Sequence, residues 1–282
     1  MKLSIALTLC SLARAAPAPS NHTGRPTPNK YPGLDILAKR AGLLYFGTAI
    51  DNVVLNNSAY ASIAHTRSEF GQVTPANGQK WMYIEPSLDA FNFSMADAII
   101  KPANKARQMK RCHNFVWHNQ LPSWLDGRNW TKAELTTVLE NHIKHEATHF
   151  KDECYAWDVV NEAFNDDGTL RDSIWLRTLG KEYIELAFIF ARKYTSPTTR
   201  LYYNDFGIER VNNKSLAVAA MGEFFYSVGR IGTKISEVLI VMQPKTLSNA
   251  ISRSMGWAFK PTLQLVVLRL MTKLKPHCTS SF

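Results

Sequence analysis

Five short apolar or β-branched runs, separated by stretches of helical periodicity, constrain this chain more than any other feature of its 282 residues. The runs lie at 45–49, 69–74, 113–117, 155–160 and 201–204. They are brief and mostly apolar, as strands covered on both faces should be. Between them the sequence predicts helices with recognisable ends. Thr131 and Glu134 have capping-box spacing, and Leu135, Val138, Leu139, Ile143 and Phe150 supply a buried stripe after them. A second helix is expected over 174–193, burying Tyr183, Ile184, Ala187, Phe188 and Ala191. Repeated βα units imply an α/β protein with a parallel sheet, and eight of them would close a (β/α)8 TIM barrel. The pattern stops after about five, so the expected fold is an incomplete barrel.

The flanks differ from this body. Lys2, an apolar run to Leu12 and small residues around Ala13, Ala15 and Ala16 have the layout of a secretory signal over residues 1–16. The apolar run is about half of the ~20 residues that a membrane span needs. Residues 17–35, rich in Pro, Asn and Thr, are expected to form a linker. Asn-x-Ser/Thr acceptors at Asn21, Asn56, Asn92, Asn129 and Asn213 suit an extracellular, exported chain. Cys112, Cys154 and Cys278 remain once Cys10 leaves with the signal, and the expectation for Cys112 and Cys154 is two free thiols. The net charge of +10 would suit a nucleic-acid or membrane surface, but its distribution does not. Eight Lys and Arg against Glu223 and Glu237 lie beyond residue 221, so most of the excess sits in that tail. The expected partner is neither nucleic acid nor membrane.

Two strand ends carry the chemistry. Trp157, Asp158, Val159, Val160, Asn161 and Glu162 take a buried strand into an amide and a carboxylate, at the end of a barrel strand where active sites form. A partly desolvated Glu162, hydrogen-bonded by the adjacent Asn, could keep its proton near neutral pH and act as a general acid, or it could simply cap the next helix. The segment from His113 through Trp117, His118 and Gln120 to Trp124 places imidazoles, amides and indoles at another strand end. Aromatic faces stack on pyranose rings while polar groups bond hydroxyls, which suits a sugar site. A metal at His113 and His118 would lack a third ligand at usual spacing, so no metal is expected. His142, His145 and His149 have helical spacing and suggest a polar helix face.

WHNQLPSW at 117–124, WDVVNEAF at 157–164, LYYNDF at 201–206 and FGTAID at 46–51 resemble glycoside hydrolase family 10 endo-1,4-β-xylanases in order and spacing, over residues 36–221. The resemblance implies a (β/α)8 barrel that cleaves internal β-1,4 bonds of xylan with retention, needs no cofactor, works as a monomer and uses Glu162 as acid/base. By position it also implies that Asn77, Lys80, His113, Trp117, Gln120 and Asn161 line the subsite next to the scissile bond. A β-1,4-glucanase on the same barrel and a catalytically dead carbohydrate-binding protein are the alternatives. Ala76, Cys112 and Gly207 depart from the family pattern, where Glu, Gly and Asn are usual.

Retention needs a second carboxylate about 5–5.5 Å from the acid. The family's Gly-x-Gly-x-Gln-x-His and Thr-Glu-Leu-Asp segments are absent from 222–282 in the frame given. Back-translating residues 254–262 and reading from each codon's third base restores the first of them, with both glycines forced. Codons 222–224 can encode a splice donor and Gln243 an acceptor; the intervening bases fall one short of a whole number of codons. An unspliced intron would therefore make 222–282 a frameshifted segment without the nucleophile.

Overall fold

In the computed structural model the described residues are 32–227, with side chains to 222. The expected signal, most of the linker and nearly all of the segment from 222 onward lie outside them, as does Cys278. Five strands form one sheet, β1 (Gly47–Ile50), β2 (Gln72–Pro75), β3 (Met109–Val116), β4 (Cys154–Asn161) and β5 (Arg200–Asn204), in the order β1-β2-β3-β4-β5. Every neighbouring pair is parallel, the arrangement of five consecutive units of a (β/α)8 barrel. Helices described between and beside them are α1 (Leu34–Arg40), α2 (Ser58–Ala64), α3 (Trp81–Ile84), α4 (Ser94–Lys105), α5 (Ser123–Asp126), α6 (Lys132–His149), α7 (Ile174–Leu179), α8 (Tyr183–Tyr194) and α9 (Asn213–Ser227).

The α6 cap forms as its sequence predicts. The Thr131 side chain accepts from Glu134 N, and the Glu134 carboxylate accepts from Thr131 N. Leu135, Val138, Leu139, Ile143 and Phe150 are buried against the sheet. His142 departs from the polar face expected of it: it is fully buried with Glu146, while His145 stays exposed. The helix expected over 174–193 is two helices. Gly180 has φ of +75°, outside the helical region and open to glycine at low cost, so the chain turns there.

The barrel wall has an apolar outer face and a polar inner one. Cys112, Trp157 and Val159 pack outward with the helices, and the Phe115 and Trp157 rings stack at 3.9 Å. Arg111, His113 and Asp158 sit on the other face and bond to one another. The strands thus bury both faces, but only one is apolar. Strand β3 begins at Met109, four residues before the apolar run, because Lys110 and Arg111 also pair in the sheet.

Cys112 and Cys154 are joined by a disulfide, contrary to the two free thiols expected. The reason is strand adjacency: β3 and β4 pair directly, both side chains lie in the outer layer, and the Cα atoms are 5.8 Å apart, inside the bonding range, although Cys154 is in register with Lys110 and Cys112 with Trp157.

Candidate active site

The strand ends assemble the polar groups in three connected sets. From the first two strand ends, Asp51 Oδ2 accepts from Asn77 Nδ2 at 2.7 Å, and Asn77 Oδ1 accepts from Gln120 Nε2 at 3.0 Å. The Gln120 backbone lies at φ of +51°, which strains a non-glycine residue. Such strain persists only where the surrounding contacts hold it.

A second set carries the opposing charges. Trp117 Nε1 donates to Glu162 Oε2 at 3.0 Å, and the Trp117 backbone carbonyl accepts from Trp175 Nε1 at 2.7 Å, so the residue is held through both its side chain and its main chain. Lys80 Nζ stands 5.1 Å from the centre of the Trp117 ring. Glu162 also has a left-handed backbone, φ +53°, held by its N–H to the Asn204 carbonyl at 2.8 Å and by Arg171 Nε on its own carbonyl at 3.1 Å. Burial raises the Glu162 pKa, against the Trp117 hydrogen bond that lowers it. A carboxyl so placed can hold a proton and give it up. Its side-chain partner is the Trp117 indole; the adjacent Asn161, expected to support it, meets the Asn204 amide at 2.7 Å.

The third set lies in the barrel interior. Arg111 grips Asp158 through Nε at 2.9 Å and Nη2 at 2.6 Å, and its Nη2 also reaches Asn204 Oδ1 at 3.0 Å. Asp158 Oδ2 meets His113 Nδ1 at 2.8 Å. Burial pushes the His113 pKa down to about 4, with Lys80 acting in the same direction and Asp158 against it. His113 is therefore a neutral imidazole at pH 7, with Nδ1–H turned to Asp158 and Nε2 free to accept. Lys80, also buried, is lowered to about 7 by desolvation, with Asp158, Glu162, Glu146 and Asp51 opposing.

All seven residues expected at the site, Asn77, Lys80, His113, Trp117, Gln120, Asn161 and Glu162, fall within these three sets. Asp51, Arg111, Asp158, Arg171, Trp175 and Asn204 join them without having been proposed as site residues. For Asp158 the signal was present, a carboxylate inside a strand covered on both faces, which requires a buried cation. A pocket beside Glu162 is lined by Trp117, His118, Arg171 and Trp175 among others. Asp205, whose charge reaches Glu162, is already held by the Tyr203 hydroxyl at 2.5 Å and Lys214 Nζ at 3.1 Å. Gly207, one of the departures from the family pattern, has φ of +73°, a conformation that favours glycine. Among the described residues no group of three or more His, Cys, Asp or Glu could hold a metal ion, and no helix is long and apolar enough to cross a membrane.

The model of the family described as Glycosyl hydrolase family 10 matches residues 33–238. Endo-1,4-beta-xylanase A of Humicola insolens is 38% identical over 257 residues, covering 88% of this chain and 68% of that protein. Endo-1,4-beta-xylanase D of Talaromyces funiculosus is 43% identical over 217 residues, 76% of this chain and 53% of that protein. Among solved structures, Penicillium canescens endo-1,4-beta-xylanase XylE has a TM-score of 0.67 at 39% identity, covering 70% of this chain and 60% of that one. Xylanase 10B of Thermotoga petrophila, solved with xylobiose, has 0.68 at 39%, covering 73% and 62%. The chain thus spans roughly half to two-thirds of the length of these relatives. A match over most of the sequence, on five parallel strands whose ends gather this set of groups, places the chain in glycosyl hydrolase family 10.

Proposed function

We propose that this chain derives from an exported endo-1,4-β-xylanase, that residues 36–221 bind xylan and xylo-oligosaccharides, and that Glu162 is the proton donor to the leaving glycosidic oxygen. One observation carries the reading: Glu162 sits at the end of β4 with its pKa raised by burial, Trp117 Nε1 on one oxygen and Lys80 over the Trp117 ring. Such a carboxyl can protonate an oxygen whose sugar stacks on aromatic rings. Neutral His113 Nε2, the Asn77 and Gln120 amides and Lys80 supply acceptors and donors for sugar hydroxyls. The acceptor asparagines Asn56, Asn92, Asn129 and Asn213 are exposed, which agrees with export.

Turnover is a separate matter. Protonation by Glu162 leaves the oxocarbenium-like transition state without an opposing carboxylate, and nothing in the frame of 222–282 supplies the expected nucleophile segment. The 282-residue product should bind xylohexaose in calorimetric titration, more tightly than cellohexaose, while releasing no reducing ends from xylan. Robust xylan hydrolysis by it would overturn the frameshift reading, and tighter cellohexaose binding would favour a glucanase ancestry. In a version with the intron removed, Glu162→Ala should abolish most turnover of xylan and spare aryl xylosides with good leaving groups. A sequenced transcript that keeps the bases of codons 222–243 would refute the splice.

A further inference from the structure

Consecutive residues of β5 hold the two peptide groups that flank Glu162. The Asn204 carbonyl accepts from Glu162 N at 2.8 Å, and the Tyr203 hydroxyl accepts from Ala163 N at 2.9 Å. Between them Glu162 keeps a left-handed backbone, φ +53°, which a residue with a side chain adopts only under constraint. Tyr203 is buried and is itself held. Its hydroxyl donates to Asp205 Oδ2 at 2.5 Å, while Asp205 Oδ1 accepts from Phe206 N at 2.8 Å and from Lys214 Nζ at 3.1 Å. Lys214, in the first turn of α9, also donates to the Phe206 carbonyl at 3.2 Å and lies 3.0 Å from Asp166 Oδ1. Asp205 and Lys214 are both buried, and these partners match each oxygen of the one and the protons of the other. Paired with Lys214, the Asp205 carboxylate has no proton to give, so the single Tyr203 proton goes to it. The phenol oxygen is thereby left as a fixed acceptor, aimed at Ala163 N.

We propose that Tyr203 is a positioning residue for Glu162: oriented by the Asp205–Lys214 ion pair, its hydroxyl pins the Glu162–Ala163 peptide and so keeps the Glu162 carboxyl against the Trp117 indole. That this carboxyl is the proton donor rests on the function proposed above; its positioning does not. Every link is a direct hydrogen bond, from Lys214 in α9 through Asp205 and Tyr203 to the main chain just after Glu162. A tie that served only to join α9 to the sheet would run from Lys214 to Asp205 and need neither the phenol nor Ala163. The Tyr203 ring packs edge to face on Phe164, at 6.0 Å and 74°, so Tyr203→Phe keeps that packing and removes the hydroxyl. It also leaves Asp205 and Lys214 in place, so an effect of the Asp205 charge alone on Glu162 would persist in it.

The test reads the Trp117 indole N–H, which donates to Glu162 Oε2 at 3.0 Å, by NMR of the full-length, sugar-free chain labelled with 15N-tryptophan. The signal is assigned by its loss in Trp117→Phe. In the unmodified protein it should move as Glu162 ionises, because a carboxylate accepts a stronger hydrogen bond than a carboxyl, and Glu162→Gln should abolish the movement. Tyr203→Phe should remove more than half of it. A folded Tyr203→Phe protein that keeps more than half would overturn the proposal, as would a signal that ignores pH in the unmodified protein. If that variant does not fold, Lys214→Met, which releases Asp205 and with it the Tyr203 hydroxyl, reads the same signal with the same two outcomes. If neither folds, hydrogen exchange in the unmodified protein decides: an Ala163 amide that exchanges within about tenfold of the protected amides of β4 supports the pinned peptide, and a faster one overturns it. Xylohexaose that fails to bind would count against the proposed function alone, because none of these readouts needs sugar.

Discussion

Lys80 shows how a single residue can be placed for function at the expense of stability. Its ammonium is buried and unbonded, and its lowered pKa means that folding disfavours the charge at every pH where the unfolded chain would carry it. Lys80→Met should therefore raise folding stability by roughly 1–3 kcal/mol at pH 6 and weaken xylohexaose binding. The gain should shrink as pH rises from about 7 towards 10.5 and vanish above that, where the ammonium is lost in both states. Denaturant melts at the two pH values check both parts. Asp158 is the opposite case, because Arg111 and His113 both bond to it. Asp158→Asn should cost about 3–5 kcal/mol, since it strands a buried guanidinium.

At the level of elements, the cap of α6 and the tie between β3 and β4 are separable. Thr131→Ala removes one half of a capping box at an exposed helix start and should cost about 1 kcal/mol in a thermal melt, with sugar binding unchanged. The Cys112–Cys154 bond spans 42 residues, including all of α6, and loop closure of that length stabilises by about 4 kcal/mol in the chain-entropy account. Replacing both by Ser should lower the denaturation midpoint accordingly. Mass spectrometry of the alkylated, unreduced protein should find neither cysteine labelled; labelling at both would refute the bond. Because Cys112 precedes His113 in β3, the same bond anchors a strand whose end carries the proposed sugar site.

For the whole molecule, stability in acid sets two buried groups against each other. His113 has a folded pKa of about 4 against 6.5 unperturbed, so the stability it contributes is complete above 6.5 and lost as pH falls through 4, roughly 3 kcal/mol in all. Glu146, raised to about 6 from 4.5, has the reverse sign: its contribution is complete below 4.5 and lost as pH rises through 6, roughly 2 kcal/mol. The two nearly offset. Urea midpoints should thus change little between pH 6.5 and 4.5, then fall as Asp158, held below its usual range by Arg111 and His113, begins to protonate. Glu146→Gln should remove the offset and make the loss begin below pH 6.5.

Local pattern was enough for the five βα units, the α6 cap and the strand ends that carry Trp117, Asn161 and Glu162, because period, capping and motif are properties of a few neighbouring residues. The break at Gly180 was open to the same reasoning, since a glycine inside an amphipathic run is the usual place for a left-handed turn. Other features depend on residues brought together from distant parts of the chain. Arg111 and Asp158 are 47 positions apart, and their pairing makes the inner face of the wall polar. Cys112 bonds Cys154 because β3 and β4 pair side by side and turn both side chains to the outer layer, and no spacing in the sequence encodes that pairing. His142 repeats at helical spacing with His145 and His149, yet it is buried because that side of α6 meets Trp81 and Glu85. Periodicity fixes which residues share a helix face; only the packing of α6 against α3 and the sheet decides that a polar member of that face is buried, and with which charges.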